Sequence, residues 1–275
     1  MSKKYEIIFG NKKKVGCKLC YQIRALKTFQ TYGGKITVYK GEYGGYVDDY
    51  HNLSQTGSCW IHGNAAVIDK AHVCDDAQIA GSAVVSGRAV ISGEAEIKCR
   101  AVVKDSAQVK DQALVTDQAT IKDKAIIEGK AMIYGQATIS EEAHVREEAR
   151  VFGKASLSGS ARANGLSIIR DFAKVRDNAK IQNYANLKGN AKIGGNTEIN
   201  EPKDYIVMGP IGSRNDYLTI CKNGDICTGC FSGSNKEFRQ QAIKTHGINS
   251  LYYQEYKKAV GFARRYFKMR EEYDG

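Results

Sequence analysis

The chain has 275 residues, of which 42% are apolar, and this size and content allow a buried core in one or two domains. No run approaches the roughly 18 apolar residues of a membrane helix, and the first residues lack the apolar segment of a secretory signal. A cytoplasmic protein is therefore expected, and a membrane partner is not. Eight cysteines without an export signal indicate reduced thiols rather than a disulfide framework.

The positive charge is concentrated at the two ends of the chain. The net charge is +11; residues 1–56 carry ten Lys/Arg and four Asp/Glu, and residues 236–275 carry nine and five. The segment between them is nearly neutral. An anionic partner should therefore favour the ends, although basic surface also serves solubility alone.

Residues 1–56 are predicted to form an N-terminal β cap. Tyr5–Phe9 and Tyr21–Leu26 have the β-branched and aromatic content of strands, and the Gly33-Gly34 and Gly44-Gly45 pairs are expected to form turns.

Residues 57–200 consist of 24 consecutive six-residue units without an insertion. The third position is almost always Ala, the fifth is Val, Ile or Leu, and the first is mostly Gly, Asp, Glu or Asn. Positions three and five lie on one face of a short strand, and the first position turns the chain. If three units close one coil, eight coils stack into a parallel β-helix roughly 40 Å long, whose exposed ends need covers.

Residues 201–275 are predicted to form an α+β domain. Asn223-Gly224 between two apolar runs is a strong hairpin signal. Ser234 and Glu237 form a capping box for a helix that ends near His246, and a second helix begins near Ser250. Its apolar stripe is predicted at the following positions: Tyr252, Tyr256, Val260, Ala263 and Phe267.

The repeat resembles the hexapeptide-repeat superfamily, whose left-handed β-helices include many acyltransferases. One departure is that the turn residue comes two positions after the aliphatic one, as in Val85-Ser86-Gly87. Segments outside the repeat resemble uncharacterised bacterial and prophage hexapeptide-repeat proteins, often labelled polymer-forming: Gly44–Val47, Asn52–Ser54, Gly209–Asn215, Gly229–Gly233 and Thr245–Gly247. The resemblance implies a mainly β, left-handed parallel β-helix and favours a homotrimer.

An acyltransferase needs a histidine base and, usually, an inserted loop that shapes the acceptor pocket. The repeat has no insertion, and His72 and His144 occupy the outward fourth position without a carboxylate neighbour evident from the sequence. We therefore predict no catalytic residue and no cofactor. Two Cys-x-x-Cys pairs, Cys17/Cys20 and Cys227/Cys230, with Cys221 and His246 as spare ligands, form a weaker alternative zinc site.

Three groups of residues are candidates for binding. Gly209–Arg214 is a predicted anion cradle, in which two glycines free the backbone amides and Ser213 and Arg214 add donors, with Cys230 and His246 nearby. Cations are predicted to stack on two walls of the helix: Lys174, Arg176 and Lys192 on one, and Arg146, Arg162 and Lys180 on the other. The third wall presents an apolar stripe that predicts a subunit interface: Leu114, Met132, Tyr134, Phe152 and Ile168.

These features favour a non-enzymatic, phage-derived protein that binds a small anionic ligand, such as a signalling nucleotide that is withheld from host defence. Sequence-specific nucleic-acid binding is not expected. A protein-binding scaffold and a hexapeptide-type acyltransferase are the alternatives.

Overall fold

The six-residue repeat builds a three-sided parallel β-solenoid. In the computed structural model, which describes residues 3–274, the repeat forms 24 two-residue strands, β6–β29, running from Trp60–Ile61 to Glu198–Ile199. Each strand pairs in parallel with a strand 18 residues away, as Val84 does with Val102. Three hexads therefore close one coil, as predicted. The left-handed sense stays a prediction.

The strands of each wall stack in chain order. The first wall holds Ala66–Val67, Val84–Val85, Val102–Val103, Thr120–Ile121, Thr138–Ile139, Ser156–Leu157, Lys174–Val175 and Lys192–Ile193. The second wall holds His72–Val73, Val90–Ile91, Gln108–Val109, Ile126–Ile127, His144–Val145, Arg162–Ala163, Lys180–Ile181 and Glu198–Ile199. The third wall holds Trp60–Ile61, Gln78–Ile79, Glu96–Ile97, Leu114–Val115, Met132–Ile133, Arg150–Val151, Ile168–Ile169 and Asn186–Leu187.

The core of the solenoid consists of the third and fifth positions of the hexads. These side chains are at most 1% exposed in all 24 units, as at Ala125 and Ile127. The small alanines and branched aliphatic residues stack in ladders, so each coil buries its apolar face against the next. Side chains at the fourth position, such as that of Ile126, point outward and remain partly exposed.

The first position of each hexad has a left-handed backbone, with φ between 55° and 72° in all 24 units. Glycine adopts this conformation without a Cβ penalty, and Asp and Asn tolerate it better than other residues. The carboxylates add a hydrogen bond between coils, since Asp111 Oδ2 accepts from the Gly129 N–H at 2.9 Å and Asp177 Oδ2 from the Gly195 N–H at 2.8 Å. Acidic residues at this position thus fix the next turn.

The N-terminal cap continues the first wall of the solenoid. Its strands are β1 (Tyr5–Val15), β2 (Lys18–Ala25), β3 (Phe29–Thr31), β4 (Ile36–Val38) and β5 (Tyr43–Val47), with 3₁₀ turns at Tyr32–Gly34 and Tyr50–Asn52. Strands β1, β2 and β5 are antiparallel, and β5 then pairs in parallel with Ala66–Val67. Because Leu53 also bridges Val73, the lead-in adds about one turn before the repeat begins.

The predicted turn at Gly44-Gly45 is wrong, because both glycines lie inside β5. A Cβ on Gly44 would stand 2.7 Å from the Ile61 carbonyl oxygen, and one on Gly45 would stand 2.5 Å from that of Ala65. The glycines are needed for the close approach of β5 to the first coil, not for a change of direction.

Lys4 fills the N-terminal end of the solenoid and is completely buried. Its ammonium donates to the carbonyl oxygens of Thr56 at 3.1 Å and Cys59 at 3.0 Å, and lies 3.2 Å from Cys59 Sγ. Burial lowers the pKa of Lys4, and the neighbouring thiol opposes that effect. The side chain thus satisfies carbonyl groups at the end of the stack.

The C-terminal segment forms four antiparallel strands and two helices: β30 (Tyr205–Ile211), β31 (Asp216–Cys221), β32 (Asp225–Thr228), β33 (Phe231–Ser234), α1 (Asn235–His246) and α2 (Leu251–Asp274). A 3₁₀ turn at Pro202–Asp204 leads into β30. The predicted hairpin and the Ser234–Glu237 capping box are confirmed. The predicted stripe of α2 is wrong at Tyr252, which is 42% exposed, because Tyr253 faces the core in its place.

Two separate apolar clusters hold this domain in place. Helices α1 and α2 pack with β31 and β32 in a cluster of their own, which includes Leu218, Phe238 and Ala263. Tyr205 and Cys221 instead join the core of the solenoid and cover its last coil. The sheet of this domain therefore covers the C-terminal end of the solenoid, as an exposed edge requires.

Candidate functional site

Two predicted binding cations anchor the C-terminal domain to the solenoid. Lys192 forms an ion pair with Asp216 on β31, and its backbone N–H donates to Thr219 Oγ1 at 2.8 Å. Arg176 Nη2 donates to the Phe231 carbonyl oxygen at 3.1 Å. These two side chains are engaged in holding the domain on the first wall.

The Lys192–Asp216 pair predicts a pH-dependent contribution to stability. Burial opposes ionisation of Asp216, but hydrogen bonds from Lys192 and from the Tyr217 N–H lower its pKa below the ordinary value. Because the pKa of the folded state is depressed, the contribution is present above the unfolded pKa of about 3.9 and is lost as the pH falls through the folded value. Asp216→Asn should lower the free energy of unfolding by about 2 kcal/mol at pH 7.

Denaturant unfolding at pH 7 and at pH 3 measures this contribution. The difference between Asp216→Asn and the unmodified protein should shrink at pH 3. Glu142→Gln, which breaks the exposed 3.2 Å pair with Lys124, is the control and should cost less than about 0.5 kcal/mol. An Asp216→Asn effect that is the same at both pH values would contradict the assignment.

The turn that was predicted to bind an anion is shorter than expected, and one of its backbone amides already binds a carboxylate of the protein. Gly209 and Pro210 lie within β30, so the turn is reduced to Gly212–Asn215, and the Gly212 N–H donates to Glu255 Oε2 at 2.8 Å. Ser213 and Arg214 are exposed. The side chains of this turn are therefore accessible to a ligand, but the Gly212 amide is already bonded to Glu255.

Arg214 lies beside Cys230, and His246 lies nearby on the helical side. The Arg214 Nη1 atom is 3.8 Å from Cys230 Sγ, and the guanidinium lowers the pKa of this exposed thiol. His246 packs against Tyr256, with ring centroids 6.2 Å apart, and the hydroxyl of Tyr256 lies directly against Gly212. The structure thus groups the predicted residues of the C-terminal domain around one tyrosine.

The remaining predicted cations lie on the solenoid walls. On the first wall, Lys174 lies opposite Lys192 in the next strand. On the second wall, Arg162 lies opposite Lys180 in the same way. Lys180 forms a 2.5 Å ion pair with Glu198, and Arg146 lies 3.5 Å from Glu147. The two groups occupy different walls, so they do not form one site within a single chain.

The predicted apolar stripe lies on the third wall. Tyr134 and Phe152 stack with ring centroids 4.6 Å apart, beside the column that contains Leu114, Met132 and Ile168. These five side chains are partly exposed. The exposed Arg150 stands in the same column between Met132 and Ile168. The subunit interface stays a prediction.

The two Cys-x-x-Cys pairs are far apart in the strand order. Cys20 lies on β2, and Cys227 lies on β32, which covers the opposite end of the first wall. All eight cysteines are free thiols, and residues 3–274 contain no group of three or more His, Cys, Asp or Glu arranged to hold a metal ion.

His144 has a carboxylate partner, which was not evident from the sequence. Its Nε2 atom lies 2.8 Å from Glu128 Oε1, and Lys110 holds the other oxygen of the same carboxylate at 2.7 Å. The two residues are 16 positions apart, because a sixth-position side chain lies diagonally next to a fourth-position side chain of the next coil. His62 and Gln78 repeat this relation, at 3.0 Å. His72, by contrast, contacts the carbonyl oxygen of His51.

A cationic groove with a volume of about 540 Å³ lies between α1 and α2. Its floor consists of core side chains, among them Phe238 and Val260. Five cations surround it, and no Asp or Glu of the described part of the chain lines it. The lining residues are Asn235, Phe238, Arg239, Ala242, Tyr253, Gln254, Tyr256, Lys257, Lys258, Val260, Gly261, Arg264 and Arg265.

Three carboxylates of α2 contact groups outside the lining of the groove. Glu255 accepts from the Gly212 N–H, Glu271 pairs with Lys222 at 3.5 Å, and Glu272 pairs with Lys268 at 3.9 Å. Within the groove, Arg239 Nε donates to the Tyr253 hydroxyl at 3.0 Å. Within residues 3–274, therefore, no carboxylate in the lining of the groove neutralises its concentrated positive charge.

The sequence did contain a signal for this groove. Lys257-Lys258 and Arg264-Arg265 are separated by seven residues, or nearly two helical turns, so both pairs project from one side of α2. The net charge of the last 40 residues pointed to the same region. What the sequence could not show is that α1 adds Arg239 and closes the groove from the other side.

No family model matches this chain, and the comparison with curated proteins finds no match. Within residues 3–274, none of the helices is both long enough and apolar enough to cross a membrane.

Proposed function

We propose that this protein is a non-enzymatic binding protein that holds a small anionic ligand in the groove between α1 and α2. One observation carries the proposal: five Lys and Arg side chains surround a groove whose lining contains no carboxylate. Like charges so grouped repel one another, and a bound anion would relieve that repulsion. A volume of about 540 Å³ is within the usual range of small-molecule sites.

We further propose that the protein acts inside a bacterial host cell. Membership of the hexapeptide-repeat superfamily is supported by the 18-residue coil, and a phage or prophage origin by the resemblance of the end segments. In the cytoplasm of a bacterial host, such a protein would withhold an anionic signal from host defence. The partly exposed stripe around Tyr134 and Phe152 supports assembly into a homotrimer.

Charge removal in the groove tests the proposal. Arg264→Gln together with Arg265→Gln should weaken binding of inorganic tripolyphosphate at least tenfold, measured by isothermal titration calorimetry, since each lost charged contact is worth about 1 kcal/mol or more. The control is Lys104→Gln with Lys122→Gln, which removes the same charge from the first wall of the solenoid. Equal losses in both variants would mean that net charge, not the groove, binds the anion.

A catalytic alternative rests on the His144–Glu128 pair. A carboxylate that holds an imidazole in place is a common arrangement for a general base. The pair lies on the second wall, where Arg146 and Arg162 could receive an anionic acyl donor. Acyl-CoA in the same titrations tests this alternative. A His144→Ala variant that binds acyl-CoA as tightly as the unmodified protein but no longer transfers the acyl group would indicate an enzyme.

A further inference from the structure

Gly261 lies in the middle of α2, where a glycine destabilises the helix. A glycine inside a helix costs about 0.5–1 kcal/mol relative to alanine, so its presence usually reflects a backbone or packing requirement. Its φ is not in the left-handed region, and a Cβ built on it would meet only Arg265 Nη1, at 3.8 Å. Neither backbone conformation nor crowding within the chain accounts for this residue.

Gly261 lies in the lining of the cationic groove. Lys257 and Arg265 stand one turn before and one turn after it, so the missing side chain leaves a bare stretch of helix between two cations. The side chains of Tyr253 and Phe238 line the same groove. The groove therefore combines cations with a stretch of helix backbone that carries no side chain at Gly261, above a floor that includes the buried rings of Tyr253 and Phe238.

Resting on the proposed function, we infer that Gly261 admits a planar ring, and that the ligand of the groove is a nucleoside phosphate rather than an inorganic anion. The phosphates would contact the Lys and Arg side chains, and the base would lie on the open helix surface at Gly261. Guanidinium groups stack on aromatic rings as well as pairing with phosphate, so Arg265 suits both parts of such a ligand.

Two probes, ATP and inorganic tripolyphosphate, separate the contribution of the ring to affinity from the contribution of the charge. ATP and inorganic tripolyphosphate share a triphosphate chain, and the inorganic anion carries at least as much negative charge. If charge alone determined binding, tripolyphosphate would bind as tightly as ATP or more tightly. A contribution from the ring at Gly261 should instead make ATP bind at least tenfold more tightly.

The affinities of Gly261 variants for both probes, measured by calorimetry, complete the test. Gly261→Leu should weaken ATP at least tenfold and change tripolyphosphate by less than twofold. Gly261→Ala, which favours the helix and adds only a methyl group, should raise the melting temperature and weaken ATP less than Gly261→Leu does. It keeps the test valid if the leucine variant does not fold.

The outcomes distinguish the two proposals. Equal affinity of the unmodified protein for ATP and tripolyphosphate would overturn the ring at Gly261 and leave the anion-binding function standing. Equal weakening of both probes by Gly261→Leu would also overturn it. Failure of the unmodified protein to bind either probe would overturn the proposed function itself.

Discussion

Replacing Ile127 by aspartate should lower the free energy of unfolding by about 4 kcal/mol or more, one of the largest effects that a single substitution can have. Ile127 is completely buried in the middle of the solenoid, and its ladder neighbours are Val109 and Val145. A carboxylate there would have no polar partner in either adjacent coil. Because each coil is stabilised only by its neighbours, the damage should also separate the two halves of the stack.

The adjacent residue supplies the control. Ile126 lies on the same two-residue strand but points outward, so Ile126→Asp should cost less than about 1 kcal/mol. Thermal unfolding followed by circular dichroism should give a melting temperature about 10 °C lower or more for Ile127→Asp and a small change for Ile126→Asp. Similar losses for both variants would mean that the alternation of inward and outward positions is misassigned.

Gly45→Ala should destabilise the protein by about 2–4 kcal/mol, although it adds only one methyl group. The new Cβ would overlap Ile61 Cγ2 and stand 2.5 Å from the Ala65 carbonyl oxygen. Backbone atoms cannot give way as a flexible side chain can, so β5 would have to move away from the first coil. Chemical denaturation measures the loss, and proteolysis within residues 1–56 should become faster in this variant.

Gly10→Ala is the matched control for Gly45→Ala. Gly10 also lies in a strand, β1, but a Cβ built on it would meet nothing within 4 Å. This substitution should be neutral or slightly stabilising. If Gly45→Ala proved as harmless as Gly10→Ala, the close contact between β5 and the solenoid would be absent in solution.

Much of the fold could be predicted because the repeat specifies it locally. The spacing of Ala125 and Ile127 defines the inward face, and an acidic residue or glycine every six positions defines the turns. Asn223-Gly224 and the Ser234–Glu237 capping box are equally local signals, and the structure confirms both. Such features depend on neighbouring residues, so the sequence alone contains them.

Apart from the misassigned Tyr252 on α2, the errors in the prediction concern contacts between distant segments. Gly44 and Gly45 looked like a turn, because the closeness of Ile61 and Ala65 cannot be read from sequence. Lys192 and Arg176 looked like free cations, but β31 and β33 bring Asp216 and the Phe231 carbonyl to them. The cationic groove was missed for the same reason, since it exists only where α1 and α2 meet.

Native mass spectrometry of the gently purified protein tests the binding groove most directly. We expect a small phosphate-bearing ligand to be retained in a fixed ratio to the chain. It should be lost from the Arg264→Gln, Arg265→Gln variant but not from the Lys104→Gln, Lys122→Gln variant. A protein that carries no ligand and takes up neither ATP nor tripolyphosphate when these are added would contradict the proposed function. Retention of the same ligand by the Arg264→Gln, Arg265→Gln variant would place the binding site outside the groove.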